Sequence, residues 1–463
     1  MKLTRYISLG LLTGAILFAG CNKKLDVTPG QSITPDQIKT ADDVKAILFG
    51  TYNSMQHYNA FGERYMMMAD LLAAPGQVAF VGTFIDYRQV YTKSQLATGT
   101  IMSGIWGRSY IIINGANNVL ERLDLIAEDE RESIEGEAKF ARGIAYYELV
   151  NYFGAPYSAP TGPNADAVPI RLKPVANDTY HDDQDKQPRN SVTEVYDQVI
   201  KDLTDAVAKL PEENENFRAT KYAAEAFLSR VYLAQGKYVQ AATAANDVIE
   251  NSGLALTPTF DKAFNNVGNS TEDIFAIQQT SQSNAGTSNN GLSTFYSAND
   301  QKPGGRGDAR VDTAGYNALF DGADDRKDFV YAGSSIGGVD GIYPGKWKNF
   351  YRAIPVVRLA EMYLTRAEAN LRSGAAQVGT ATPLEDVNTI RERANAAPWT
   401  SVTADQAVQE RFRELAFEGD WLWTKKRLKM NVGSRAYDDP KLVFPVPQRE
   451  RDIDENITQN PGY

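Results

Sequence analysis

The chain has 463 residues, 43% of them hydrophobic and 23% charged, an ordinary globular balance with enough apolar residues to bury one large core or two smaller ones. The 48 basic and 58 acidic residues leave a formal net charge of −10, which argues against nucleic acid as a partner. A single cysteine excludes an internal disulfide, and the only histidines, His57 and His181, are too far apart in sequence to suggest a pair.

The N-terminus opens on basic Met1-Lys2-Leu3-Thr4-Arg5, continues as an apolar run from Tyr6 to Phe18, and ends on small residues before Cys21. This order predicts an export signal over residues 1–20, and the run is too short to remain as a spanning helix. Phe18-Ala19-Gly20-Cys21 resembles a bacterial lipobox, with Phe18 where Leu is usual. The resemblance implies cleavage before Cys21 and acylation of its thiol and new amine. Two or three acyl chains anchor a protein that one would hold only weakly. An ordinary secreted protein with a stray thiol is the alternative. Removing residues 1–20 takes Lys2 and Arg5 away and moves the net charge from −10 to −12.

Most of the remaining chain reads as helix. Thr34-Pro35-Asp36-Gln37 and Thr40-Ala41-Asp42-Asp43 are helix starts, and Val44, Ile47, Leu48 and Met55 follow helical spacing. Trp106, Tyr110, Ile113, Asn117 and Leu120 share a helical face. Ser191-Val192-Thr193-Glu194 is a capping box, followed by the stripe Val195, Tyr196, Val199, Ile200, Leu203, Val207 and Leu210, which Pro211 ends. Between Thr220 and Asn251, two Ala-rich helices meet at Gly236 in the manner of a tetratricopeptide repeat. Glu137…Arg142, Glu225…Arg230 and Glu361…Arg366 repeat one spacing without a constant period, which predicts helix pairs interrupted by insertions.

Two stretches break the pattern. Residues 154–190 carry Pro156, Pro160, Pro163, Pro169, Pro174 and Pro188 and should wander over the surface. Residues 281–350 are rich in Gly, Asn and Ser yet hold many rings, which a flexible linker would not. Such insertions on a rigid scaffold are where ligand sites form.

Signals for catalysis are missing. There is no His-Glu-x-x-His, Cys-x-x-Cys, Gly-x-Ser-x-Gly or Ser-x-x-Lys, and Gly345-Lys346 lacks the rest of a phosphate loop. Asp321, Asp324, Asp325 and Asp328 do not match a calcium loop and read as a solvated turn. Arg306-Gly307-Asp308 reads as coincidence in a Gly-rich loop. Lys425-Lys426-Arg427-Leu428-Lys429 reads as a solvated helix face, with anionic lipid contact as the alternative. A hydrolase built on distant carboxylates stays open, with no local signal for it.

Several segments, in order, carry a resemblance. They are Ala41-Asp42-Asp43-Val44 with Gly50-Thr51-Tyr52-Asn53, then Trp106 to Asn118, then Glu137-Ala138-Lys139-Phe140-Ala141-Arg142 running on to Phe153-Gly154 and Pro156. Tyr363-Leu364-Thr365-Arg366-Ala367-Glu368-Ala369, Asn388-Thr389-Ile390-Arg391-Glu392-Arg393-Ala394, Glu410 to Asp420 and the tail from Phe444 to Tyr463 follow. With the lipobox, this set resembles the SusD/RagB family of Bacteroidetes outer-membrane lipoproteins over essentially the whole chain. Trp421-Leu422-Trp423-Thr424-Lys425 departs from the Trp-x-Asp-Leu-like stretch usual after Glu418-Gly419, and should alter helix packing.

The resemblance implies a mainly α fold. Tetratricopeptide-like helix pairs hold a loop-rich, ligand-binding half with few short strands. Residues 21–250 form the N-terminal region, and 251–463 the C-terminal region with the 281–350 insertion. It also implies a surface lipoprotein, lipid-anchored in the outer membrane and facing the exterior. That lipoprotein binds a nutrient and passes it to a SusC-like TonB-dependent porin, with no catalysis, cofactor or metal. An oligosaccharide is favoured over a peptide. A helical scaffold with the porin as its only partner is the further alternative.

A sugar offers a C–H face to an aromatic ring and hydroxyls to Asn, Asp or Arg, and Tyr, present 24 times, serves both roles. Candidate rings are Phe84, Tyr87, Tyr296, Tyr343 and Trp347, and candidate polar residues are Asp70, Arg88, Asn299 and Asp300. Phe84 to Arg88 is expected in a loop. Replacing Tyr296 and Trp347 together with Ala is expected to weaken ligand binding and leave the fold cooperative.

Overall fold

The computed structural model describes residues 37–175 and 186–463. The expected signal, Cys21, Thr34-Pro35-Asp36 and His181 lie outside them. Helix α1 (Ala41–Gln56) starts at the expected place. The Thr40 side chain accepts the Asp43 N–H, and the Asp43 carboxylate accepts the Thr40 N–H at 2.9 Å. Then follow α2 (Arg64–Ala73), strand β1 (Val78–Phe80), α3 (Ile85–Thr92), α4 (Thr100–Leu120) and α5 (Glu128–Phe153). Helix α6 (Val192–Lys209) opens on the Ser191/Glu194 capping box. Its stripe of Val195, Tyr196, Val199, Leu203 and Ala206 is buried, and each large apolar side chain there contributes roughly 1.5–3 kcal/mol.

Helices α7 (Lys221–Ala234) and α8 (Tyr238–Asn251) form the predicted pair. Gly236 turns between them at φ +70°, a conformation an L side chain resists. The chain then becomes irregular, with β2 (Asp273–Ile277), α9 (Leu292–Tyr296), β3 (Ala309–Val311), α10 (Thr313–Asn317), α11 (Asp325–Asp328), β4 (Val330–Ser334), β5 (Asp340–Pro344) and β6 (Ile354–Arg358). It returns to helix in α12 (Leu359–Ser373), α13 (Pro383–Arg393), α14 (Ala404–Glu414), α15 (Asp420–Arg427) and α16 (Gln448–Ile453).

Neighbours in this series stack in succession: α1 on α4, α4 on α5, α5 on α6, α6 on α7, α7 on α8 and α8 on α12, which also packs on α13 and α14. Small residues allow the approach, as where Ala241, Ala242 and Ala369 meet Leu233 between α7, α8 and α12. The strands make three antiparallel pairs, β1–β3, β2–β6 and β4–β5. The second pair joins the loop-rich segment to α12, because Arg358 closes β6 and caps that helix.

The repeated arginines bind the stack laterally. Arg142 on α5 holds Asp202 on α6 through two bonds of 2.8 and 2.7 Å. Arg230 on α7 holds Glu361 on α12, and Arg366 on α12 holds Asp386 on α13, each through two bonds of 2.6–2.9 Å. Bidentate geometry fixes one helix against the next more tightly than a point charge would. The Pro-rich stretch is tied down where it is described. Asn114 Nδ2 donates to the Val175 carbonyl, and Asn117 Nδ2 to those of Arg171 and Lys173.

Two surface expectations are corrected. Lys426 is buried and donates to the Leu442 carbonyl at 2.7 Å, and Arg427 binds both Glu368 oxygens, so the basic run is largely internal and only Lys429 is exposed. The amphipathic period of α15 was hidden by lysines, whose stems pack like apolar residues. Asp324 is likewise buried, capping α11 and paired with Arg326, while Asp321, Asp325 and Asp328 stay exposed. The departing Trp421 and Trp423 pack inward against Phe412 and Tyr152, with ring centres 5.0 Å apart in both cases.

Candidate ligand-binding site

Helix α2 carries two buried carboxylates that fasten the irregular half. Glu63, just before α2, accepts the Gly291 N–H at 2.7 Å and the Tyr87 hydroxyl. Asp70 accepts from Gln77 Nε2 at 2.8 Å, the Tyr296 hydroxyl at 2.8 Å and the Gly419 N–H at 3.0 Å. Gly419 sits at φ +78°, and a Cβ there would lie 2.9 Å from the Met66 Cα, so α15 can approach α2 this closely only with glycine. Burial pushes both carboxyls up to about 7, against the lowering effect of their donors and of nearby Arg64 and Lys346.

Asp70, Tyr87, Tyr296, Tyr343 and Trp347 are therefore placed in the interior, 0–5% exposed. Tyr87 stacks on Phe295 at 4.6 Å. The Tyr343 hydroxyl donates to the Gly307 carbonyl at 3.1 Å, and the Trp347 indole N–H donates to that of Phe417 at 2.7 Å. None of them offers a ring face to a solute, which corrects the expectation of ring-bearing surface coils. The reason is general. A long segment with little regular structure needs its own apolar core, and Tyr and Trp fill it while satisfying their polar ends inside. The Tyr296/Trp347 double variant is accordingly a stability variant, with each truncation costing about 3–5 kcal/mol.

Phe84, Arg88, Asn299 and Asp300 stay at the surface. The segment Phe84 to Arg88 is not a loop: Phe84 caps α3 and the rest is its first turn. Phe84 is half-buried, and its ring lies 4.5 Å beneath the Arg306 guanidinium. Arg306 is held by Asp308 at 2.7 Å and reaches Asn289 at 3.4 Å. Arg88 donates to the Gly82 carbonyl at 2.8 Å, and Asn299 Nδ2 to that of Gly305 at 2.9 Å. Asp300 accepts the Ser334 N–H at 3.4 Å. A Cβ on Gly82 would meet Asp308 at 2.7 Å, so this glycine lets the α3 start close on the Arg306 loop. The result is a ring covered by a planar cation, with amides and a second guanidinium nearby.

The sequence reading missed Arg306. Its signal lay in Arg306-Gly307-Asp308, where Gly307 at φ +61° brings the aspartate back to the arginine. It also missed a cleft of about 440 Å³ beside β4, lined by Asn265, Asn266, Tyr331 and Lys348. Among the described residues, no group of three or more His, Cys, Asp or Glu side chains could hold a metal ion, and no helix is long and apolar enough to cross a membrane.

Residues 24–233 match a family profile described as starch-binding and associating with the outer membrane, and residues 338–432 match that of the SusD family. The chain is 26% identical to SusD-like protein P2 of Formosa agariphila, across 97% of this chain and 98% of that one. It superposes on a SusD superfamily protein of Bacteroides thetaiotaomicron with a TM-score of 0.81 and 25% identity, across 91% and 100% of the two chains. Surface glycan-binding protein A of Bacteroides fluxus shares the fold at a TM-score of 0.75 and 21% identity, across 92% and 100%. Two family matches in chain order, a full-length relative and a shared helical frame agree: this chain belongs to the SusD/RagB family.

Proposed function

We propose that this chain is a surface lipoprotein of the outer membrane that binds a glycan and hands it to a SusC-like TonB-dependent porin, breaking no bond itself. Acylation at Cys21 anchors it facing the exterior. The observation that carries the glycan reading is the half-buried Phe84 ring under Arg306, with exposed Arg88 one turn along α3 and exposed Asn299 bonded to Gly305 beside Arg306. Because Arg306 covers the ring, a sugar meets the outer plane of that guanidinium, whose donors take its hydroxyl rim, while the ring beneath holds the cation flat. The starch-binding description of the matched family and the glycan-binding relative of the same fold support it.

Calorimetric titration with maltoheptaose and laminarihexaose tests the reading. Phe84→Ala should weaken binding of the preferred glycan by about tenfold or more, since a lost stacking contact is worth roughly 1–2 kcal/mol, and should keep the chain folded with a modestly lower unfolding midpoint, because the half-buried ring also packs on Tyr87 and Phe295. An unchanged binding constant would remove Phe84 from the site.

A further inference from the structure

A second cleft shares no lining residue with the Phe84 platform. It is walled by the C-terminal half of α5, by Tyr196 on α6, by the end of α7, and by α15. About 90 Å³ of it is open to the centre of a water molecule, several times the ~10–15 Å³ that one water needs. The side chains facing it that matter are Glu148, Asn151, Tyr157, Tyr196, Trp423 and Lys426.

Most charges at this cleft are satisfied by protein. Arg230 is committed to Glu361, Arg411 to Glu361 and Asp420, and Arg427 to Glu368. Glu148 differs. It is 5% exposed, and its Oε2 has no hydrogen-bond partner among the described residues. Asn151 Nδ2 is also buried with no bond of normal geometry, although it faces the Tyr147 hydroxyl and its Oδ1 accepts the Tyr196 hydroxyl at 3.2 Å. Lys426 forms no ion pair with any described residue. It donates to one carbonyl and lies 5.0 Å from the Trp423 ring centre. Buried polar groups are nearly always bonded, so an orphaned acceptor and a poorly bonded donor in one cleft point to a partner from outside the chain.

The chemistry selects that partner. Burial pushes the Glu148 carboxyl up to about 8 and the Lys426 ammonium down to about 7, so neither group brings a full charge at neutral pH. Half-buried Tyr157 and Trp423 add ring surface. We infer that this cleft is a second binding site for a neutral polyhydroxylated solute of about one sugar ring, whose hydroxyls bond Glu148 and Asn151 while its C–H face meets the rings. The inference stands whether or not the Phe84 platform binds glycan.

Titrations of the full mature chain with glucose and with myo-inositol, read by calorimetry and by tryptophan fluorescence, test it. At least one of the two should bind the parent and the Phe84→Ala variant equally. Asn151→Leu, which keeps the side-chain shape and removes the donor, should weaken that binding about tenfold or more, and Trp423→Phe should remove the fluorescence response. Glu148→Gln should weaken it less, since an amide still accepts a hydrogen bond. The inference is overturned by no response to either solute, by a response that Phe84→Ala abolishes, or by a response to glycine in place of both.

Discussion

Between β2, β6, α13 and α14, the carboxylates of Glu272, Glu410 and Glu414 are fully buried and each meets at least two guanidinium groups. Along α2 and α5, the carboxyls of Glu63, Asp70 and Glu148 are about as deeply buried. They meet neutral donors or, at Glu148 Oε2, nothing from the described protein. The two regions bury acid in opposite electrostatic states. In the first, burial raises the Glu414 carboxyl, but Arg393, Arg358 and Arg326 outweigh it and hold the group well below the usual carboxylate range. In the second, desolvation wins, and Glu63, Asp70 and Glu148 are all pushed above neutral pH or close to it. Depth is similar, so the partner decides. The paired lattice locks the irregular half to α12 and α14. Glu63 and Asp70 are satisfied by neutral donors in the interior, and Glu148 Oε2 alone of the three carboxyls is left without a partner among the described residues, at the second cleft.

The largest expected effect comes from breaking the lattice. Arg358 donates to Glu272 at 2.5 Å, to Glu414 at 3.0 Å and to Glu418 at 2.7 Å. Arg358→Ala leaves buried carboxylates uncompensated and should cost about 3–5 kcal/mol in urea unfolding. A loss near zero would show that the network is dispensable.

Next comes the pH dependence that separates the two regions. Glu148 is raised from 4.5 to about 8 by burial, opposed by Arg230. Below pH 4.5 its carboxyl is protonated in both folded and unfolded chains and adds no slope. From pH 4.5 to 8 the unfolded chain ionises while the folded one keeps its proton, so stability falls as pH rises. Glu148→Gln should remove a decline of a few kcal/mol across that window relative to the parent. Arg230, Arg411, Arg427, Glu418, Asp420 and Lys426 also face this cleft; burial lowers Lys426 to about 7, which adds a slope of the opposite sign above that pH that Glu148→Gln leaves in place. Glu361 behaves in reverse. Burial raises it, but Arg230 and Arg411 outweigh that and bring it to about 2, so its contribution is present above pH 4.5 and lost as pH falls toward 2. Equal slopes for parent and Glu148→Gln would contradict the unpaired state.

The smallest effect belongs to an acid at the surface. Glu194 accepts the Ser191 N–H at 2.7 Å and the Ser191 hydroxyl at 2.9 Å in the α6 capping box. Ser191→Ala should cost about 1 kcal/mol in the same unfolding measurement, which calibrates how little an exposed carboxylate matters beside a buried one.

The helical frame was largely legible. Thr40 with Asp43, Ser191 with Glu194, and the α7–α8 pair around Gly236 are written in residues three or four apart, and local spacing decides them. The candidate site was legible only in part. Phe84, Arg88 and Asn299 are where a solute could reach them, but Tyr296 and Trp347 carry the same composition and face the interior. A ring in an irregular segment has no period from which its direction can be read. Lys426 misled for a related reason, since a cation in a short helix looks solvated until a distant part of the chain, here the Leu442 carbonyl, accepts its hydrogen bond.

The sequence by itself determined the starts of α1 and α6 and the family to which the chain belongs, because each depends on neighbouring residues or on an order of motifs along the chain. Tertiary structure alone decided which charges meet. Glu137 faces Arg218 on another segment and not the Arg142 of its own repeat, and Glu63 finds its donor at Gly291, 228 residues away. Electrostatic pairing acts through space within a few ångströms, and only the folded chain brings such distant residues to that range.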